Sequence, residues 1–268
     1  MILNREGEDK MKFKYSIPSK IKEFINNADL KEISIGCSDS QVIRINKEKE
    51  IYYLKIMKQN MLLKEYNSLT WLQKKLSVPE VILFIQEDGN DYLITREISG
   101  KMLCDDYYIE NQDKALSVLK QAFSSLYLVD IKDCPFNVSN DYKLSLVRKN
   151  VENGLVQDSS LKKETLEKFG SVKNLLKYLE DNRFDEELVF SHGDTSLPNI
   201  FANDKGMSGF IDVGECGIAD KWFDLAICEK SILRNYGPEY VKKFYEVLKI
   251  KRDENKINYY LLMMELYL

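Results

Sequence analysis

The sequence predicts an α+β chain in two lobes, the front one built on an antiparallel sheet and the larger rear one mainly helical. Three observations carry this. β-Branched and aromatic runs broken by polar turns crowd the first hundred residues, helical spacing dominates after "SGKML" (99–103), and 268 residues exceed a usual single-domain length. The expected boundary lies in Glu97–Met102, which gives 1–98 as the front lobe and 99–268 as the rear.

In the front lobe "SKIKEFINNA" (19–28) has helical spacing, and "EISIG" (32–36), "QVIRI" (41–45) and "IYYLKI" (51–56) read as a strand meander. "MLLKEYNSLTWLQKKL" (61–76) places Leu62, Tyr66, Leu69, Leu72 and Leu76 near one helical face and stops before Pro79. "EVILFIQ" and "DYLITRE" then flank an acidic-Gly-Asn turn, the pattern of a hairpin. In the rear lobe helices are expected at about 112–130, 140–153, 160–180, 221–234, 238–249 and 254–266, with short strands around 187–190, 200–203 and 208–212.

Composition narrows the function. Apolar residues make up 44% and charged residues 31%, ordinary for a folded soluble chain, and the apolar runs are too short to span a bilayer. The opening "MILNREGEDKMKFKYS" has no apolar core followed by a cleavage site, so the expected location is the cytoplasm. Cys37, Cys104, Cys134, Cys216 and Cys228 show no C-x-x-C spacing and no histidine partners, and read as reduced thiols. Residues 1–60 hold 12 Lys/Arg against 9 Asp/Glu, whereas the other 208 hold 27 against 34. A basic front suits an anionic ligand and an acidic rear a cationic one. No basic stripe interleaved with aromatics points to nucleic acid.

The informative stretch is "FSHGDTSLPNIFANDKGMSGFIDVGECG" (190–217). Phosphoryl transfer needs a group to orient the acceptor hydroxyl, oxygen ligands for a metal, a cation on the α/β-phosphates and a cover loop. Asp194 sits on a tight loop after a buried-looking strand, and Asn199 offers an amide oxygen from the far end of that loop. Two short strands joined by "NDKGM" then return the chain toward its starting point, which brings Asp212 back beside Asn199. Taken singly these are turn residues, as Lys55 is a solvated strand lysine and Glu65 a helix-surface carboxylate; the set is what points to chemistry. His192 reads as a satisfied core histidine, and Asp220 and Asp224 read equally as loop supports or plain structural residues.

The spacing H-x-D-x4-N with D-x-G thirteen residues on resembles the catalytic and metal loops of the protein kinase-like fold, and more specifically the aminoglycoside phosphotransferases of the 3′ branch. The likeness runs through "FIDVGECGIADKWFDLA" (210–226), "YYLKI", "KEYNSLTWL", "YLITREISG" and "INYYLLMMELY" (257–267), nearly the whole chain. It implies a protein kinase-like bilobal fold and an ATP- or GTP-dependent enzyme that uses Mg²⁺ to phosphorylate an aminoglycoside, at the 3′-hydroxyl, as a monomer or weak homodimer. It implies Asp194 as catalytic base, Asn199 and Asp212 as metal ligands, and Lys55 on the phosphates, held by Glu65. Gly36 and Ser38 would belong to the phosphate cover, Tyr53 would stack on the purine with Ile211 beneath it, and Arg96 and Ile98 would offer hinge backbone groups.

At the acceptor the sequence departs from that pattern. The usually acidic loop after "GLV" keeps Asp158 and Glu164 but adds Lys162 and Lys163, Glu215 stands where the family commonly has Arg, and the paired acids of the last helix become Met264 and Glu265, with Leu268 one residue past the usual end. Asp158, Glu164, Glu215 and Glu265 are the acceptor carboxylates implied. The alternatives are a kinase of the same fold with another hydroxylated acceptor and, disfavoured by the intact residue set, a nucleotide-binding pseudokinase.

Overall fold

The computed structural model describes residues 13–33 and 40–267. The chain forms two compact units, one comprising residues to Ser99 together with Gly209–Gly214, the other Gly100–Ser208 with Glu215–Leu268. Among the described residues no helix is long and apolar enough to cross a membrane.

In the first unit α1 (Ser19–Phe24) packs against a sheet of β1 (Asp29–Ile33), β2 (Gln41–Lys47), β3 (Glu50–Lys58), β4 (Val81–Glu87) and β5 (Asn90–Arg96). The order is β1-β2-β3-β5-β4 and every pairing is antiparallel. Alternation along β3 sorts its side chains: Tyr52, Leu54 and Ile56 are buried with Ile21, Ile43, Ile45 and Ile94, while Tyr53, Lys55 and Met57 share the other, half-buried face. α2 (Leu63–Leu72) links β3 to β4 and stacks Tyr66 on Phe84, ring centroids 4.3 Å apart. Both helices are shorter than their apolar spacing predicts. Asn27 and Lys74 each take a left-handed φ, +60° and +73°, which helix geometry does not admit.

The second unit holds most of two small sheets, Gly209 and Phe210 at the end of one strand belonging to the first unit. β6 (Lys101–Met102), β8 (Ile200–Asn203) and β9 (Gly206–Phe210) form one in the order β6-β8-β9; β7 (Leu188–Ser191) pairs antiparallel with β10 (Gly217–Asp220) in the other. Around them lie α3 (Asp106–Ile109), α4 (Gln112–Tyr127), α5 (Asn140–Glu152), α6 (Lys163–Phe169), α7 (Val172–Asp181), α8 (Lys221–Asn235), α9 (Glu239–Leu248) and α10 (Glu254–Met264). α4 packs on α9 through Phe123 and Phe244, whose rings meet edge to face at 5.5 Å. The helix expected over 160–180 is two helices. Gly170 turns the chain at φ +75°, and Ser171 restarts it by accepting the Asn174 N–H at 3.2 Å. The strand expected at 208–212 ends at Phe210, so Asp212 lies beyond it.

Candidate active site

The first unit assembles three of the expected residues. Lys55, pointing from the half-buried face of β3, donates from Nζ to Glu65 Oε2 of α2 at 2.8 Å, and Asp212 Oδ1 lies 3.6 Å from the same nitrogen. The shorter contact is a charge-assisted hydrogen bond and the longer one is not, so Glu65 fixes the ammonium and Asp212 supplies field. Burial pulls the Lys55 pKa down, but Glu65 and then Asp212 pull it up further, and the net direction is upward. Lys55 stays charged at neutral pH. Asp212 occupies the left-handed region at φ +58°, which a short polar side chain tolerates, and 57% of its side chain is exposed. Its free face can take a cation.

On the same face of β3 as Lys55, Tyr53 donates its hydroxyl to Glu97 at 2.9 Å, and burial, then Glu97, holds the phenol above its usual pKa. The Arg96 amide is spent inside the unit, donating to the Glu80 carbonyl at 2.9 Å, and its guanidinium meets Glu80 and Glu50. The Arg96 N–H is therefore already engaged within the unit. The Ile98 side chain lies against Gly209, and Ile211 is half-buried. Gly36 and Ser38 lie outside the described residues.

The second unit builds a loop between β7 and a 3₁₀ turn, Leu197–Asn199. Asp224, fully buried on α8, accepts the His192 N–H at 2.8 Å and the Gly193 N–H at 3.1 Å, while the Thr195 hydroxyl donates to the Asp224 carbonyl at 2.6 Å. Burial raises the Asp224 pKa against the pull of His192. About two turns along α8 from Asp224, Ser231 accepts the Leu197 N–H at 3.0 Å. Asp220 caps α8 and also accepts the Tyr260 hydroxyl at 2.9 Å. Both aspartates are thus structural supports, Asp224 of the loop itself.

Within the loop the Asp194 N–H donates to His192 Nδ1 at 3.1 Å, so the buried His192 is an acceptor on that nitrogen and orients the backbone of Asp194. Asn199 Nδ2 donates to the Asp194 carboxylate at 2.9 Å and to its carbonyl at 3.0 Å. Both partners can only accept, which fixes the orientation of this buried amide with its nitrogen toward Asp194. Asp194 Oδ1 accepts the Ser196 N–H at 3.2 Å, and the carboxylate is half-buried. The parts played by Thr195 and Ser231 are not legible from their residue types. The seven-residue interval from Asp224 to Ser231, two helical turns on one face, is the available signal.

The acceptor carboxylates separate into two groups. Glu164 and Glu215 are exposed, and the charge of Glu215 adds to burial in raising the Tyr267 phenol. Asp158 is exposed but spends one oxygen on the Val172 N–H at 2.7 Å, at the start of α7. Glu265 is engaged within the unit: its oxygens accept the Lys162 N–H and the Thr165 hydroxyl, each at 2.9 Å, capping α6 from about a hundred positions further along the chain. Each oxygen thus carries one hydrogen bond, and 10% of the side chain stays exposed.

Among the described residues no group of three or more His, Cys, Asp or Glu is arranged to hold a metal. In the first unit Asp212 offers exposed carboxylate oxygens, a hard donor type that suits Mg²⁺ and not a soft-ligand metal.

The chain matches the family model "Phosphotransferase enzyme family" over residues 29–254. It is 34% identical over 263 residues to an aminoglycoside 3′-phosphotransferase of Enterococcus faecalis, covering 95% of this chain and 99% of the relative. It is 33% identical over 246 residues to one of Campylobacter jejuni, covering 89% and 96%. Among solved structures, an aminoglycoside 3′-phosphotransferase of type VIII superposes with a TM-score of 0.79 at 24% identity, over 92% of this chain and 97% of that one. An aminoglycoside phosphotransferase of Streptomyces rimosus in complex with ADP and streptomycin superposes at 0.71 and 20% identity, over 92% and 96%. The likeness to these structures carries the α+β, protein kinase-like fold, and with the family match and the sequence identity it establishes that this chain belongs to the phosphotransferase enzyme family.

Proposed function

We propose that this chain transfers the γ-phosphate of ATP or GTP to the 3′-hydroxyl of an aminoglycoside and so inactivates the antibiotic. The observation that carries the reading is the Asp194 loop: a half-buried carboxylate held by Asn199 and Ser196 on a backbone that Asp224 and His192 pin in place. Such a carboxylate orients an acceptor hydroxyl and takes its proton as the new O–P bond forms, and the loose transition state demands little base strength.

Lys55, held by Glu65, binds oxygens of the α- and β-phosphates, and Tyr53 and Ile211 enclose the base with the hinge groups of Arg96 and Ile98. Asn199 Oδ1 and Asp212 are the residues that would hold Mg²⁺, which supplies charge neutralisation on the phosphates. Lys55, Glu65 and Asp212 together carry a net negative charge, a setting that a divalent cation bound with nucleotide would balance. Gly36 and Ser38 are assigned to the phosphate cover. Asp158, Glu164 and Glu215 attract the ammonium groups of the acceptor, in a cytoplasmic enzyme acting as a monomer or weak homodimer. The names of the relatives and the ADP and streptomycin complex of the Streptomyces rimosus protein support nucleotide and aminoglycoside as the two substrates.

A second reading, a kinase of the same fold with another hydroxylated acceptor, is favoured by Glu265, which is engaged with α6, and by Met264 beside it. A nucleotide-turnover assay with Mg²⁺ separates the two. Stimulation by kanamycin and none by its 3′-deoxy analogue tobramycin is expected, and Asp194→Asn is expected to lower turnover about a hundredfold or more while ADP still binds. If ADP binds and neither kanamycin nor neomycin stimulates, the acceptor assignment fails and the second reading stands.

A further inference from the structure

We infer that Asp91, a buried carboxylate on β5, is a positioning residue that sets the Lys55–Glu65 pair by capping α2 from the sheet. The helix does not cap itself. Its N-cap residue is Leu62, which has no side-chain oxygen, and no side-chain cap is made from within the segment. The missing acceptor comes from β5: Asp91 Oδ2 accepts the Leu62 N–H at 2.9 Å, and Asp91 Oδ1 accepts from Gln86 Nε2 of β4 at 2.8 Å. The residue is fully buried. A carboxylate is costly there unless both oxygens are hydrogen-bonded, and the positive end of a helix offsets its charge.

What Asp91 connects is specific. Glu65 lies in the first turn of α2, three residues past the capped amide, and its carboxylate is the hydrogen-bond partner of Lys55. Asp91 sits opposite Met57 in the β3–β5 register, two residues from the Lys55–Leu93 pair. The strand that flanks the lysine therefore also holds the helix end that carries its partner. The other hold on α2 visible in its rings, Tyr66 on Phe84, lies one residue beyond Glu65 and fixes how the helix lies on the sheet. Asp91 fixes where the helix begins, and so the position of Glu65 along the helix axis. Shifting that start by a fraction of a turn would move the Glu65 oxygen out of the 2.8 Å contact while leaving the apolar packing of Leu69 and Leu72 in place.

This rests on the reading of Lys55 and Glu65 as the phosphate-binding pair, and the test separates the two claims. The full chain is compared as wild type, Asp91→Ala, Asp91→Asn, Glu65→Gln and the Asp91→Ala/Glu65→Gln double variant, measuring ADP affinity with Mg²⁺ and kanamycin-dependent turnover. Asp91→Ala is expected to lower kcat/KM for nucleotide by about tenfold to a hundredfold with the KM for kanamycin unchanged. The double variant is expected to be no worse than Glu65→Gln, because Asp91 acts through Glu65. Asp91→Asn keeps the shape and an acceptor oxygen for the Leu62 amide and is expected to stay within about threefold of wild type. Losses that multiply in the double variant, or a folded Asp91→Asn as impaired as Glu65→Gln, would overturn the inference about Asp91 alone. Unchanged turnover and ADP affinity in Glu65→Gln would remove the reading of the pair, and this inference with it.

Discussion

A methyl group on Gly193 would stand 2.2 Å from the carbonyl oxygen of Glu215, and the residue holds φ +86°. Neither condition admits another side chain without moving backbone, and the next residue is Asp194. Gly193→Ala is therefore expected to cost about 2–4 kcal/mol in stability and, in whatever fraction folds, about a hundredfold in turnover, read by thermal unfolding and the kanamycin assay. Single residues also show where sequence reasoning reaches and where it stops. Asp194, Asn199 and Asp212 stand out in the sequence because they share one continuous stretch at a fixed spacing. Lys55 and Glu65 sit ten residues apart, and only the likeness to a family singled them out. The hold of Glu265 on α6 is not legible in the sequence, because the groups that engage it, the Lys162 amide and the Thr165 hydroxyl, lie about a hundred positions earlier, and nothing local to Glu265 encodes them.

At the scale of elements, β2 to β5 fall close to their β-branched runs, since alternation and burial coincide there, whereas β1 at Asp29–Ile33 begins three residues ahead of the strand expected at 32–36. The helices drift more. Apolar periodicity says which face is buried but not where a left-handed residue stops the turn, as at Lys74, or where Gly170 divides one apolar stretch into α6 and α7. α6 is a seven-residue helix, too short to persist unaided, and its cap is Glu265. Glu265→Ala is expected to cost about 1 kcal/mol, to raise amide exchange in 163–169, and to leave ADP affinity unchanged. A drop in ADP affinity equal to any loss in kanamycin binding would contradict a role confined to α6.

For the molecule as a whole, acid sensitivity has an identifiable contributor. Glu187 accepts from Lys221 at 2.5 Å, from Trp222 Nε1 at 2.9 Å and from Lys256 at 3.4 Å, drawing β7, α8 and α10 together. The Lys221 bond first, then the indole, holds its pKa down at about 2, below the ordinary value of 4.5. A carboxyl depressed on folding stabilises the native state fully above its unfolded value, and that stabilisation is lost as pH falls from about 4.5 toward about 2. Because the side chain is half exposed, solvent screens the effect and its size is small. Glu187→Gln is expected to flatten that stretch of the curve of Tm against pH while leaving the neutral plateau lower, and a variant curve parallel to wild type through the acid range would refute the assignment.

The cap that Glu265 places on α6 also orders events in time. Synthesis proceeds from the N-terminus, so 162–169 leaves the ribosome about a hundred residues before the acid that completes its first turn. Until then α6 is an uncapped single helix of seven residues, below the length that holds together in water. The rear of the chain thus closes only with its last helix, and a nascent polypeptide halted before Glu265 would present α6 unfinished to whatever chaperone or protease meets it.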